Sequence, residues 1–126
     1  MTRQPEGKLV AATRRYLQSR GARAFKIQGG ADSFQEIGIP DILCCYKGRF
    51  IGLEAKMPGN VPSAKQAAVL DEIAEADGYA IVFTTVEEVS GLLAKIDKEV
   101  ARGSVPIIGG HRRYIGTRTV SRFRKR

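Results

Sequence analysis

Two apolar runs, Asp41–Tyr46 and Arg49–Lys56, are separated by only Lys47 and Gly48. A two-residue connection of this kind favours a tight turn between antiparallel strands. The pair predicts a hairpin, and a hairpin dictates which side chains meet. Setting Tyr46 against Arg49 places Cys45 opposite Phe50, Cys44 opposite Ile51, Leu43 opposite Gly52 and Ile42 opposite Leu53. The next pair outward is Asp41 with Glu54. Directly opposed residues project from one face with Cβ atoms about 4.5–5.5 Å apart. Lys56, two residues beyond Glu54, shares that face. One patch on otherwise apolar strands thus gathers two carboxylates and an ammonium.

Two carboxylates this close repel by on the order of 3–4 kcal/mol at an effective dielectric near 20. A single lysine offsets part of that. A divalent cation removes it, and hard oxygen donors select Mg²⁺ or Mn²⁺ over zinc. The small Gly52 beside the patch leaves room for close approach. The alternative is a solvated Asp–Lys–Glu network on an edge hairpin, which the apolar flanking residues argue against.

The surrounding segments define the rest of an α/β chain. Pro5 suits a first helical turn, and Leu9, Val10, Thr13, Tyr16 and Leu17 follow at helical spacing up to Gly21. "RAFKIQ", Arg23–Gln28, alternates as a strand. "GGADSFQEIGIP" is a loop without the Gly-Lys-Ser/Thr ending of a phosphate-binding loop, so no nucleotide cofactor is expected. Ser63 and Gln66 have capping-box spacing and open a helix to about Asp77, with Gly78 as its stop. "YAIVFT" is a short apolar strand. Thr85 and Glu88 form a second capping box, opening a helix that stops near Gly103. The order α-β-β-β-α-β-α joins a hairpin to a helical crossover, which requires a mixed sheet flanked by helices.

Two further polar residues align with the core stripes. Glu6 stands four, seven and eleven residues before Val10, Thr13 and Leu17, so it continues their stripe at the N-terminal end of the helix. An acid complementing the helix dipole explains its place in the first turn but not that alignment. Gln66 is the third residue of a capping box and also leads the stripe of Leu70 and Ile73. Capping and facing the acidic patch are equally compatible with its position.

Charge is unevenly distributed. The net charge is +8, yet residues 1–110 hold 14 basic and 13 acidic residues. The last sixteen, "HRRYIGTRTVSRFRKR", hold Arg112, Arg113, Arg118, Arg122, Arg124, Lys125 and Arg126 and no acid. Such a block reads as a nucleic-acid or polyanion contact. A solubilising tail is the plainer reading, but Tyr114, Ile115, Val120 and Phe123 are interleaved with the arginines. The division is a domain over residues 1–103 and a basic C-terminal extension over 104–126. No apolar run is long enough for a membrane span, and residues 1–10 lack a secretory pattern. Cytoplasmic synthesis and no membrane partner are the expectation. Cys44 and Cys45 are adjacent and form no disulfide framework. The only histidine, His111, excludes a closed zinc site with several histidine ligands.

Asp41 followed by Glu54-Ala55-Lys56 on the next strand resembles the PD-(D/E)XK nuclease motif. Joined to Glu6, to Gly38-Ile39-Pro40-Asp41 and to a helix bearing Gln66, the pattern resembles the VRR-NUC branch of that superfamily over roughly residues 5–90. The resemblance implies a restriction-endonuclease-like core and Mg²⁺- or Mn²⁺-dependent hydrolysis of DNA phosphodiesters in a bacterial or phage-infected cell. It implies that Asp41, Glu54 and the carbonyl of Ala55 bind the metal and that Glu6 completes the site, in part through water. Lys56 then handles the attacking water, and Gln66 lies near the substrate. Stand-alone members of this branch resemble Holliday-junction resolvases in size and in forming homodimers, which suits two symmetric cuts. The competing readings are a non-catalytic nucleic-acid-binding protein that uses the basic tail, and a superfamily nuclease for other DNA or RNA substrates.

Overall fold

The computed structural model describes residues 5–28 and 36–102. Residues 29–35 of the glycine loop, the Gly103 stop, His111 and the basic residues Arg112 to Arg126 lie outside the described residues. Three helices and four strands follow in the expected order: α1 (Pro5–Ser19), β1 (Arg23–Lys26), β2 (Ile42–Tyr46), β3 (Arg49–Ala55), α2 (Ala64–Glu75), β4 (Tyr79–Phe83) and α3 (Val86–Ala101). The strands form one mixed sheet, ordered β1-β2-β3-β4. The first three are antiparallel, and β4 runs parallel to β3 after the α2 crossover. Packing divides the chain between Leu93 and Ala94, and the sheet, α1, α2 and the first half of α3 belong to the first part.

The hairpin has the register expected from its sequence, from Tyr46↔Arg49 through Ile42↔Leu53. Lys47 and Gly48 both take positive φ, 51° and 83°. A two-residue turn with both central residues left-handed matches the twist of the strands it joins. Alternation then divides the two strands by face. Ile42, Cys44, Tyr46, Ile51, Leu53 and Ala55 are all buried on one side. On the other side Cys45 and Phe50 are exposed and Leu43 is half-buried, while Gly52 and Glu54 are covered.

Helix α1 packs against β1 and β3, burying Val10, Thr13 and Leu17. Helix α2 packs against β4 and β3. It opens with the full capping box. The Ser63 hydroxyl accepts from the Gln66 N–H, and the Gln66 side chain accepts from the Ser63 N–H. Its end differs from expectation. The left-handed residue is Asp77, at φ 73°, rather than Gly78. Gly78 N–H donates to Ile73 C=O (2.9 Å) and Asp77 N–H to Ala74 C=O (3.0 Å). These are the paired bonds of a Schellman ending, with an aspartate at the position glycine usually takes. Strand β1 is shorter than its alternating pattern, ending at Lys26 rather than Gln28, although Ile27 N–H still donates to Asp41 C=O at 2.9 Å. No helix of the described residues is long and apolar enough to cross a membrane.

Candidate active site

Strand β2 begins at Ile42, one residue later than its apolar run suggests, so the ladder ends at Ile42↔Leu53. Asp41 lies just beyond that end. Its Oδ2 accepts the backbone N–H of Ala55 at 2.9 Å. The carboxylate thereby occupies a place in the backbone ladder that a peptide carbonyl would otherwise fill. Its own C=O accepts from Ile27. Asp41 is thus held between β1 and β3 by its backbone on one side and its side chain on the other. Pro40, buried, restricts the approach to it.

Glu54 is 1% exposed. Its Oε2 lies 3.3 Å from Lys56 Nζ, so the two residues share a face as their spacing requires. Its Oε1 is buried without a hydrogen-bond partner. A buried carboxylate oxygen left unpaired is costly, and such an atom calls for an explanation.

The electrostatics agree. Burial pushes Glu54 above its ordinary pKa, repulsion from Asp41 adds to that, and Lys56 partly opposes it. Burial likewise pushes Asp41 up. The Ala55 hydrogen bond and Lys56 oppose that shift, while Glu6 reinforces it. Glu54 therefore senses Asp41, Asp41 senses Glu6, and the ammoniums of Lys56 and Lys26 only partly offset burial and repulsion.

Glu6 is carried to this end of the sheet by the first turn of α1. Its Oε2 accepts Met57 N–H at 3.3 Å, one residue past Lys56. The alignment of Glu6 with the core stripe, rather than the helix dipole alone, is what brings it there. Gln66 has its side-chain oxygen engaged with Ser63 N–H at 2.8 Å, so the capping role is the one its oxygen performs. Ala55 N–H is taken by Asp41 and Lys56 N–H by Phe83 C=O (3.0 Å). Among the described residues no three His, Cys, Asp or Glu side chains converge as a complete ligand set. A cation here would need oxygen donors beyond side-chain carboxylates.

The donor set fits a hard divalent cation. Its side-chain donors are carboxylate oxygens, one of them buried and unpaired, which would need further oxygen donors to complete a set, and burial biases both central acids toward protonation. Any cation that replaces the proton relieves that bias. Gly52 does not leave the open room beside the patch that the sequence suggested, because the protein's own side chains fill it. A Cβ there would meet Ile73 Cδ1 at 2.7 Å and Pro40 Cγ at 3.2 Å, so the strand, α2 and the residue preceding Asp41 close on one another only over a glycine.

The fold is similar to a solved VRR_NUC domain, with a TM-score of 0.60 and 18% identity, covering 73% of this chain and 97% of that one. A second similar structure is Hjc, a Holliday junction resolvase from Archaeoglobus fulgidus, with a TM-score of 0.48, 22% identity and coverage of 62% of this chain and 66% of that one. No family model matches the sequence, and no curated protein matches it. The α/β architecture with a four-stranded mixed sheet is therefore that of the VRR_NUC fold.

Proposed function

We infer that the protein is a metal-dependent DNA endonuclease that hydrolyses phosphodiester bonds. The observation that carries this reading is the unpaired, buried Oε1 of Glu54 beside Asp41, with Lys56 on the same patch. A structural salt bridge would satisfy both oxygens of so deeply buried a carboxylate. A site that holds a cation leaves one free to bind it.

Asp41 and Glu54 are the residues that would hold Mg²⁺ or Mn²⁺. The carbonyl of Ala55 would be a further ligand, and Glu6 would contribute through water. Such an ion supplies a Lewis acid for the phosphoryl oxygen and lowers the pKa of its water. The chain's residues do the rest. The Asp41 Oδ2 bond to Ala55 N–H orients the carboxylate. Lys56, its side chain 15% exposed and its Nζ 3.3 Å from Glu54, would move a proton at the attacking water and balance phosphate charge. The Gln66 amide stands near the substrate, at the start of α2. The basic tail from Arg112 to Arg126 adds affinity, and two copies of the chain form a homodimer that makes paired cuts in branched DNA.

The test is a panel of labelled junction, flap, nicked duplex, linear duplex, single-stranded DNA and RNA substrates, each with Mg²⁺, Mn²⁺ or EDTA. Cleavage of DNA with either metal and none in EDTA is expected. Binding without cleavage under every condition would establish the competing reading, a non-catalytic nucleic-acid-binding protein, whose support is the +7 tail. Cleavage of RNA alone would leave the chemistry and change the substrate.

A further inference from the structure

Taking the body of the protein as nearly neutral hides a strong internal asymmetry. Residues 7–28 contain six basic residues and no acid, and residues 64–93 contain six acids and one basic residue. The topology separates them. The first segment forms most of α1 and the edge strand β1, against which α1 packs. The second forms α2 and β4, at the opposite edge of the sheet, with the start of α3. Positive charge therefore collects at the β1 edge and negative charge at the β4 edge. A polyanion approaching the carboxylates between them is drawn in over β1 and repelled over β4.

The β1 edge also carries a built surface. Register places Arg23 opposite Cys45 and Phe25 opposite Leu43. Leu43 in turn stands opposite Gly52. By alternation Arg23 and Phe25 project from the sheet face of Asp41 and Glu54. Phe25 lies one two-residue step, about 7 Å, back along the sheet from the Asp41 row and one strand over. The Arg23 guanidinium is stacked over the Phe25 ring at 4.1 Å from its centroid, yet Phe25 remains 48% exposed. A guanidinium can cover only one face of the ring, so the exposed remainder of Phe25 is apolar surface open to a partner. The pair also stands on the edge of the sheet whose strand carries no acid and whose packed helix carries only Glu6, in its first turn.

We propose that Arg23 and Phe25 on β1 form a nucleic-acid contact that guides an unpaired strand toward Asp41 and Glu54. Arg23 meets the phosphate next to the reacting one, and Phe25 takes the face of an unstacked base or sugar. Ring stacking tolerates any base because every base has a π face. The contact therefore selects strand openness rather than sequence, which suits forks, flaps and junctions over blunt duplex. This inference rests on the reading of the protein as one that acts on DNA.

The experiment compares binding of a labelled fork with single-stranded arms and of the matching blunt duplex, in EDTA, across a salt series. Wild type, Phe25→Ala, Phe25→Tyr and Arg23→Gln are measured, with circular dichroism and light scattering on each. Phe25→Ala is expected to weaken fork binding by about five- to one-hundredfold, to change duplex binding little, and to be rescued by Phe25→Tyr. Arg23→Gln is expected to lower the salt slope by about one. Folded variants that bind the fork like wild type would overturn the proposal and leave the nuclease reading standing. Variants that bind normally but turn a dimer into a monomer would also overturn it, by making the strip a contact between copies. Wild type that binds neither substrate would bring down the functional reading itself.

Discussion

One face of the hairpin is closed and the other is half open, although the same residues alternate to build both. Cys44 is 2% exposed and its neighbour Cys45 is exposed; Ile51 is fully buried and its neighbour Phe50 is 47% exposed. The closed face is apolar from Ile42 to Ala55 apart from Arg49, buried next to the turn, and burial there drives the Cys44 thiol up to about 11. On the open face α2 covers Gly52 and packs chiefly against β4 and β3, the half of the sheet away from β1. The acids lie at that boundary, buried enough to be electrostatically costly and close enough to solvent for Lys56 to retain some exposure. Stability is concentrated on one side of the sheet and the proposed chemistry on the other. A substitution's cost should therefore depend on which way its side chain points.

The largest effect is expected at the boundary, and in function alone. Lys56→Ala should lower cleavage by about 10²–10⁴-fold, the usual range for a lost general acid or base, while DNA binding and thermal stability stay close to wild type. Single-turnover cleavage alongside a binding titration checks this. A variant that cuts at the wild-type rate removes Lys56 from the mechanism. One that unfolds instead shows that the open face carries stability as well, which breaks the contrast.

Next in size is a test of the closed face. Phe83→Ala removes a fully buried ring and should cost about 3–5 kcal/mol. Phe50→Ala, on the open face, should cost less than about 1 kcal/mol. Urea unfolding of the two variants compares the faces directly, and equal losses would mean that Phe50 is covered in solution by something else. Gly52→Ala should fall between them, at about 1–3 kcal/mol, because its new methyl meets Ile73 and Pro40. Ile73 presents a side-chain tip, which gives more easily than the proline ring, so the lower half of that range is expected.

Much of this was legible in residue order, for identifiable reasons. The hairpin register followed from a two-residue turn, since a connection that short leaves few alternatives, and the two-residue alternation of a strand placed Glu54 and Lys56 on one face. Capping-box spacing located the start of α2. Glu6 was readable because helical period is rigid enough to project a residue four positions outward. Other features depend on where an element stops, which residue types do not determine. Nothing about Asp41 foretells that its carboxylate substitutes for a ladder carbonyl at Ala55, because that requires β2 to begin one residue late. The left-handed turn fell on Asp77 although glycine stood next to it, since Gly78 was needed where the backbone of Phe50 comes close. The charge asymmetry was present in the sequence as an acid-free stretch over residues 7–28. It became meaningful only once topology put that stretch at one edge of the sheet and the acidic stretch at the other.

The smallest expected effect tests whether the boundary is strained for the sake of the cation. Asp41 and Glu54 both have folded-state pKa values above their ordinary ones, with burial the main cause in each. A carboxylate whose pKa is raised on folding binds its proton more tightly in the native state, so its ionisation opposes folding. The penalty is present at neutral pH and is relieved as pH falls through the raised folded values. It vanishes below the unfolded values, near 4. Glu54→Gln imitates the protonated acid at every pH. In EDTA at pH 7 this variant should therefore be more stable than wild type, by less than the Gly52→Ala effect because Lys56 already offsets part of the repulsion. The gap should close as the pH approaches 4. Mn²⁺ at pH 7 should reverse the order, since ligand binding to the native state stabilises only the chain that still holds the ion. Thermal midpoints for the two proteins from pH 4 to 8, with EDTA and with Mn²⁺, give all three comparisons. If Glu54→Gln is the less stable protein at pH 7 without metal, the Glu54–Lys56 pair is a net structural bond, and the unpaired Oε1 has some purpose other than a cation.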